Sequence, residues 1–280
     1  MVTGSDGMLG RALVERCARR NDEVAAHNHR TLDITDKAAI EAAFTRDAPE
    51  AVINCAAWTD VDGCELDRER AFDVNARGVE NLASGSRKQG ARFITISTDF
   101  VFDGAKDGFY TQRDDPNPLM IYGDSKLQGE RAAQRAYART VVVRTGWIFG
   151  HGGRNFLSLV IERARRGEHL KAIGDAYGTP TYAVDLAERL RDLAELDLPG
   201  IYHVVNSGEG ASYEEFTRAA VVAADCEGLK VESVSMNDLN RPAPRPRNSR
   251  LRCLLSEALG LSPLPDWKTS LAVFAAQNLR

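Results

Sequence analysis

A phenol and an ammonium stand four residues apart in Tyr122-Gly-Asp-Ser-Lys126, and a hydroxyl pair, Ser97-Thr98, ends an apolar run upstream. These residue types suit moving a hydride to or from a carbon that bears oxygen. Negative charge builds on a ketone oxygen as hydride arrives, and a proton donor must stand beside it. Tyrosine, with an ordinary pKa of about 10, holds its proton at neutral pH and releases it reluctantly. A nearby ammonium favours the phenolate and lowers that pKa. Residues i and i+4 share a helix face, so Tyr122 and Lys126 can point into one cleft. Thr98, from another element, would hold the substrate oxygen. Thr98, Tyr122 and Lys126 are therefore the candidate catalytic set.

A Tyr-x-x-x-Lys pair arises by chance about 0.2 times in a chain of this composition, and the plain alternative is a surface helix pair. Only seven of the 36 basic residues are lysines. A lysine at 126 thus points to a need for a compact charge rather than a planar fork.

A second site opens the chain. Gly4-x-x-Gly7-x-x-Gly10 places glycines between a strand end and a helix, where backbone N–H groups can approach a pyrophosphate. The helix N-terminus adds a favourable dipole. The spacing is one residue longer between the first two glycines than in the common dinucleotide fingerprint. NAD-specific sites place an acid roughly 20 residues beyond such a loop, to bond the ribose 2′-hydroxyl. Here a strand at 23–26 runs into His27-Asn28-His29-Arg30. Asn28 stands where the acid would be and carries no charge. Arg30 is close enough to meet a 2′-phosphate, with His29 assisting; the alternative is that all three are solvated loop residues. NADPH is expected to serve at least as well as NADH.

These sites need a scaffold, and the sequence alternates strands and helices. Expected helices cover 8–20, 35–44, 69–85 and 125–138. Expected strands cover 1–3, 23–26, 51–57 (AVINCAA), 93–97 and 140–144. Short connections between them argue for an α/β fold, a Rossmann-type doubly wound parallel sheet. Residues 1–150 form the expected dinucleotide-binding domain, with a strand and helix returning near 180–206. Residues 151–280 form a smaller, mainly substrate-binding C-terminal lobe. It holds expected helices at 155–166, 185–196 and 213–224, the last after the cap-like Ser212, and a strand at 201–205. The proline-rich Arg241-Pro-Ala-Pro-Arg-Pro246 is too stiff for a helix and is expected to loop over a cleft. Arg245, between two prolines, is a candidate phosphate or substrate contact.

At 280 residues and 43% hydrophobic content the chain can bury a full core. A net charge of −4, with no basic tract, argues against nucleic acid as partner. Five scattered cysteines without a C-x-x-C pair read as reduced thiols of a cytoplasmic protein. No 18-residue apolar run marks a membrane span, and no signal peptide is evident. Met1 to Thr3 supplies at most half of a central strand, so either the natural chain begins several apolar residues upstream or its first strand is shortened.

Together these pieces resemble the extended short-chain dehydrogenase/reductases, and among them the dTDP-4-dehydrorhamnose reductase family. The residues that carry the resemblance are VTGSDGMLGRAL (2–13), VINCAAWTDVDGCE (52–65), VNARGVENLA (74–83), ISTDFVFDG (96–104) and NPLMIYGDSKLQGE (117–130). RTGWIFG (144–150), NF (155–156), GTPTYAVDLA (178–187), GIYHVVNSGE (200–209) and RPAPRPRNSRL (241–251) continue it through nearly the whole chain. The resemblance implies reduction of the C4 keto group of dTDP-4-dehydro-L-rhamnose with NADPH or NADH. It implies Gly7, Met8 and Leu9 under the pyrophosphate, Asp33 and Ile34 beside the adenine, and Ala56, Ala57 and Thr59 along the cofactor. Asp99, Trp147 and Asn155 would meet the sugar. The alternatives for Trp147 and Asp99 are core packing and a local loop bond. Some family members use Mg²⁺ at a dimer contact, but the sequence holds no ligand cluster that predicts a metal; monomer and homodimer both remain open. Gly146 replaces the family's serine, and the acid after the second strand is missing. Other readings are another nucleotide-sugar reductase or epimerase on this scaffold, or a non-catalytic regulatory subunit.

Overall fold

The computed structural model describes residues 1–153 and 156–278. Six strands form its central sheet: β1 (Val2–Thr3), β2 (Ala26–His27), β3 (Ala51–Asn54), β4 (Arg92–Thr98), β5 (Thr140–Thr145) and β6 (Gly200–His203). Their spatial order is β6-β5-β4-β3-β1-β2. Every neighbouring pair is parallel. A parallel sheet covered on both faces needs strands that are apolar on both sides, and β5, TVVVRT, is buried at all six positions.

Helices cover the two faces. On one, Met8–Arg19 and Ala183–Leu196 pack Leu9, Leu13, Leu186 and Leu190 against Val141 and Val143 of β5. On the other, Lys37–Asp47 and Val79–Gln89 join Ile40, Phe44 and Leu82 to Val52 and Phe93. Ile121–Ala136 lies beside Val79–Gln89. The smaller C-terminal lobe gathers the helices Phe156–Arg165, Tyr213–Ala223 and Trp267–Asn278 around Leu157, Phe216, Trp267 and Phe274. It also holds a parallel pair, Leu170–Ile173 with Val231–Val234.

The chain passes from β1 out to β2, then returns to β3 on the other side of β1. Doubly wound sheets bind ligands at such a reversal, beyond the carboxyl ends of the strands.

Several element boundaries differ from the sequence expectation. The second strand lies later, at Ala26–His27, and is only two residues long. The third ends at Asn54, because residues 55–60 leave the sheet and Asp60 caps the helix Val61–Leu66. The second helix starts at Lys37, with Asp36 rather than Thr35 as its cap; the Asp36 carboxylate accepts from the Ala38 and Ala39 N–H groups at 2.9 and 3.1 Å. The expected helix at 69–85 is three pieces: Arg68–Phe72, a wider π-type turn over Asp73–Gly78, and Val79–Gln89. The helix expected from Ser125 begins at Ile121, which places Tyr122 in its first turn. Ser212 caps its helix as expected, in a reciprocal box with Glu215.

Candidate functional site

The glycine loop is shaped by close backbone contacts. Gly4 has φ +67°, which L side chains rarely adopt, and a Cβ there would lie 2.6 Å from the Ala56 nitrogen. A Cβ on Gly10 would sit 2.2 Å from the Gly4 carbonyl oxygen. The first helix therefore rests directly on the end of β1, and the β1 loop touches the β3 loop. Gly7 is the N-cap of that helix and offers no side-chain hydrogen bond to it. The Gly7 N–H closes onto the Gly4 carbonyl at 3.0 Å, and the positive end of the helix dipole beyond it suits a pyrophosphate. Met8 packs beside Gly150 and Gly153, while Leu9 is buried in the core.

A cleft of about 690 Å³ opens at this point, lined by Gly4, Gly7, Asn28, Arg30, Asp33, Ile34, Ala56 and Ala57 among others. These residues fit a dinucleotide. Thr59 is exposed and lies outside that lining, because the chain turns away there toward the Asp60 cap. The Asn28 side-chain oxygen accepts from the N–H groups of Arg30 and Thr31, at 2.9 and 3.1 Å, so it closes its own turn. The Asp33 carboxylate is held low by the Thr35 N–H and hydroxyl.

Three cleft-side residues escaped the sequence reading. Arg70 lays its guanidinium over the Trp58 ring, 4.4 Å from the centroid, and both line the cleft. Asn75 is fully buried in the π-type turn. It bonds the Trp58 N–H and carbonyl at 2.9 and 3.0 Å and the Ser125 hydroxyl at 3.1 Å. Asn75 thus ties the cofactor-side loop to the helix of Tyr122. The asparagine in VNARG was visible in the sequence, but its partners are 17 and 50 residues away.

Thr98 ends β4, and Tyr122 and Lys126 face it from one side of the helix Ile121–Ala136. Burial raises the Tyr122 pKa; a hydrogen bond with Thr98 opposes the rise, and Asp99 and Cys64 add to it. Lys126 is 4% exposed, and its Nζ donates to the Ile96 carbonyl at 2.6 Å. Burial lowers its pKa from 10.5 to about 8, against the opposing pull of Glu130. The expectation that Lys126 lowers the Tyr122 pKa is therefore corrected: the net shift is upward, and Lys126 is not among its causes.

Asp99 follows Thr98 and is buried. Burial raises its pKa from 3.8 to about 6, against bonds from Ser249 and Thr98. Trp147 holds φ +48° and stacks on Tyr213, with ring centroids 3.8 Å apart. Its indole crosses Gly178, where a Cβ would be 2.2 Å from the ring. Tyr213 was not singled out beforehand; burial raises its phenol to about 12 and Asp99 adds to the rise. Arg245 does not stand free: its Nη1 bonds Asp62 Oδ1 and the Ala243 carbonyl, both at 2.6 Å. It fastens the proline-rich loop to the helix Val61–Leu66. Asn155 lies outside the described residues. Among the described residues no group of three or more His, Cys, Asp or Glu could hold a metal ion. None of their helices is long and apolar enough to cross a membrane.

The chain matches the family model described as the RmlD substrate binding domain over residues 1–279. It is 37% identical over 277 residues to a dTDP-4-dehydrorhamnose reductase of Streptomyces griseus, covering 97% of this chain and 91% of that protein. A probable dTDP-4,6-dihydroxy-2-methyloxan-3-one 4-ketoreductase of Streptomyces antibioticus is 36% identical, with 97% and 92% covered. Among solved structures, dTDP-4-dehydrorhamnose reductase of Bacillus anthracis in complex with NADP superimposes with a TM-score of 0.95 at 32% identity, covering 99% and 98% of the two chains.

Proposed function

This chain belongs to the RmlD substrate binding domain family, and from that premise we propose that it reduces the C4 keto group of dTDP-4-dehydro-L-rhamnose to give dTDP-L-rhamnose. It is an NAD(P)H-dependent oxidoreductase acting on a nucleotide sugar. The observation that carries the reading is the hydrogen bond of Tyr122 with Thr98 at the end of β4, with Lys126 one helical turn on and bonded to the Ile96 carbonyl, beside a cleft shaped for a dinucleotide.

When bound, the nicotinamide supplies the hydride. The residues of the chain supply the rest. Gly7 and the first turn of its helix hold the pyrophosphate, and Arg30 meets the 2′-phosphate. Lys126, an ammonium, holds the ribose. Thr98 orients the keto oxygen, and Tyr122 stands ready with its proton. The raised pKa of Tyr122 keeps that proton in place until charge develops on the C4 oxygen. A phenol then gives it to an alkoxide, which is far more basic. Trp147, stacked on Tyr213, and the buried Asp99 bound the sugar. Arg245 acts through the loop it fastens. Residues 1–150, with the helix and strand at 183–203, form the cofactor domain; most of 151–280 forms the sugar-binding lobe. The protein works in the cytoplasm as a monomer or homodimer.

A second reading stays within the chemistry: the 36% identical 4-ketoreductase favours a different 4-keto sugar on the same nucleotide. NADPH oxidation with and without dTDP-4-dehydrorhamnose, followed by identification of the product, tests the proposal. Oxidation only with another keto-sugar nucleotide would favour the second reading.

A further inference from the structure

Three consecutive residues of β4 hold three residues of one helix face. The Ile96 carbonyl accepts from Lys126 Nζ at 2.6 Å. The Ser97 hydroxyl donates to Glu130 Oε1. The Thr98 hydroxyl bonds the Tyr122 phenol. Tyr122, Lys126 and Glu130 stand at i, i+4 and i+8, so they share that face. From β5, Arg144 adds two bonds to Glu130, Nε to Oε1 at 3.0 Å and Nη2 to Oε2 at 2.7 Å. Glu130 and Arg144 are each 3% exposed.

A buried ion pair is a poor way to gain stability, since apolar side chains of similar volume often do as well or better. The pair therefore calls for another reason, and its place one turn beyond Lys126 gives one. We infer that Glu130, clamped by Ser97 and Arg144, is the positioning residue that keeps Lys126 an ammonium at the cofactor face. The inference rests on the functional reading above. Tyr122 and Glu130 flank Lys126 on its own helix face, and the titratable groups that act on its charge are Glu130, Cys55 after β3 and Cys64 on the helix Val61–Leu66. Burial pushes the two thiols up to about 12 and about 11, so both are neutral near pH 7. Glu130 is then the group that opposes the burial of Lys126, while Ser97 and Arg144 fix its carboxylate one turn away on the same face.

Glu130→Gln tests this through the pH dependence of NADPH binding, read by protein fluorescence, and of kcat. An opposite charge at close range moves a pKa by about one to three units. The alkaline loss of NADPH binding should therefore move down by about one pH unit or more, with affinity at pH 6 near that of the wild type. Glu130→Asp should recover part of the shift. Glu130→Gln leaves Arg144 buried without its partner, so Glu130→Gln/Arg144→Met is measured in parallel; it should keep a near-normal melting temperature and show the same downward shift. An unshifted alkaline limb in either folded variant, or an equal loss at every pH, overturns the inference. A wild type that binds NADPH but reduces no keto-sugar nucleotide would sink the functional reading instead, and the binding titration would still decide the role of Glu130.

Discussion

Ser249, in the loop that follows the proline-rich segment, donates a 2.5 Å hydrogen bond to the buried carboxylate of Asp99. On the other side, a Cβ at Gly146 would lie 2.5 Å from the Asp99 Cγ. The glycine that replaces the family's serine thus leaves room for Asp99, and a hydroxyl from the C-terminal segment bonds it. Burial raises Asp99 from 3.8 to about 6, so folding favours its protonated form. That contribution is fully present below about pH 3.8 and is lost as pH rises through about 6. Asp99→Asn cannot ionise. Its melting temperature relative to the wild type should therefore climb between pH 4 and pH 7, by the equivalent of at most about 3 kcal/mol. A gap that stays flat across this range would show that Asp99 titrates normally.

Tyr122→Phe removes one hydroxyl beside Thr98. It should lower kcat by about 10² to 10⁴, the usual worth of general acid catalysis, with the NADPH dissociation constant nearly unchanged. Stopped-flow turnover and fluorescence titration check the two halves. Near-normal turnover would remove Tyr122 from the role of proton donor.

Arg30 and His29 line the dinucleotide cleft, and Asn28 occupies its turn without a charge that would repel a 2′-phosphate. The enzyme should use NADPH at least as well as NADH. A tenfold preference for NADH in kcat/KM, worth about 1.4 kcal/mol, would contradict this. Arg30→Ala should weaken NADPH use selectively, and an equal effect on both cofactors would clear Arg30 of that role.

The residue after Asp99 is Phe100, whose ring stands edge-on to Tyr122 with centroids 6.3 Å apart. A 4,6-dehydratase must remove a proton at C5 and protonate the departing C6 hydroxyl, which needs a proton-moving side chain here. Phe100 can neither give nor take a proton. Incubation with dTDP-glucose and NAD⁺ should yield no 4-keto-6-deoxy product, and its formation would overturn this assignment.

The parts of the site legible in the sequence are those made by short-range spacing. Gly4, Gly7 and Gly10 announce a strand-to-helix turn, and Tyr122 and Lys126 announce one helix face. Both stand where that spacing places them. What stayed hidden depends on long-range partners. Ser249 meets Asp99 across 150 residues, and Arg245 meets Asp62 across 183; no local pattern reveals either. Tyr213 reads locally only as the first residue after a capping serine, yet it stacks on Trp147. The apolar run 51–57 read as one strand because composition cannot show where a parallel strand leaves its ladder. Pairing of β3 with β4 ends at Asn54, and the next residues turn to the cleft. Spacing gives Tyr122 and Lys126 a shared face but not the direction of Lys126 Nζ, which turns to the Ile96 carbonyl.

The most direct test of the central claim is the fate of the hydride. The enzyme is given dTDP-4-dehydrorhamnose and NADPH deuterated at the nicotinamide C4, each face in a separate run, and the sugar product is read by NMR. The account predicts deuterium at C4 of the product sugar from one face only, with dTDP-L-rhamnose as that product. Oxidation of NADPH that leaves C4 unlabelled, or label at any other sugar carbon, would contradict it.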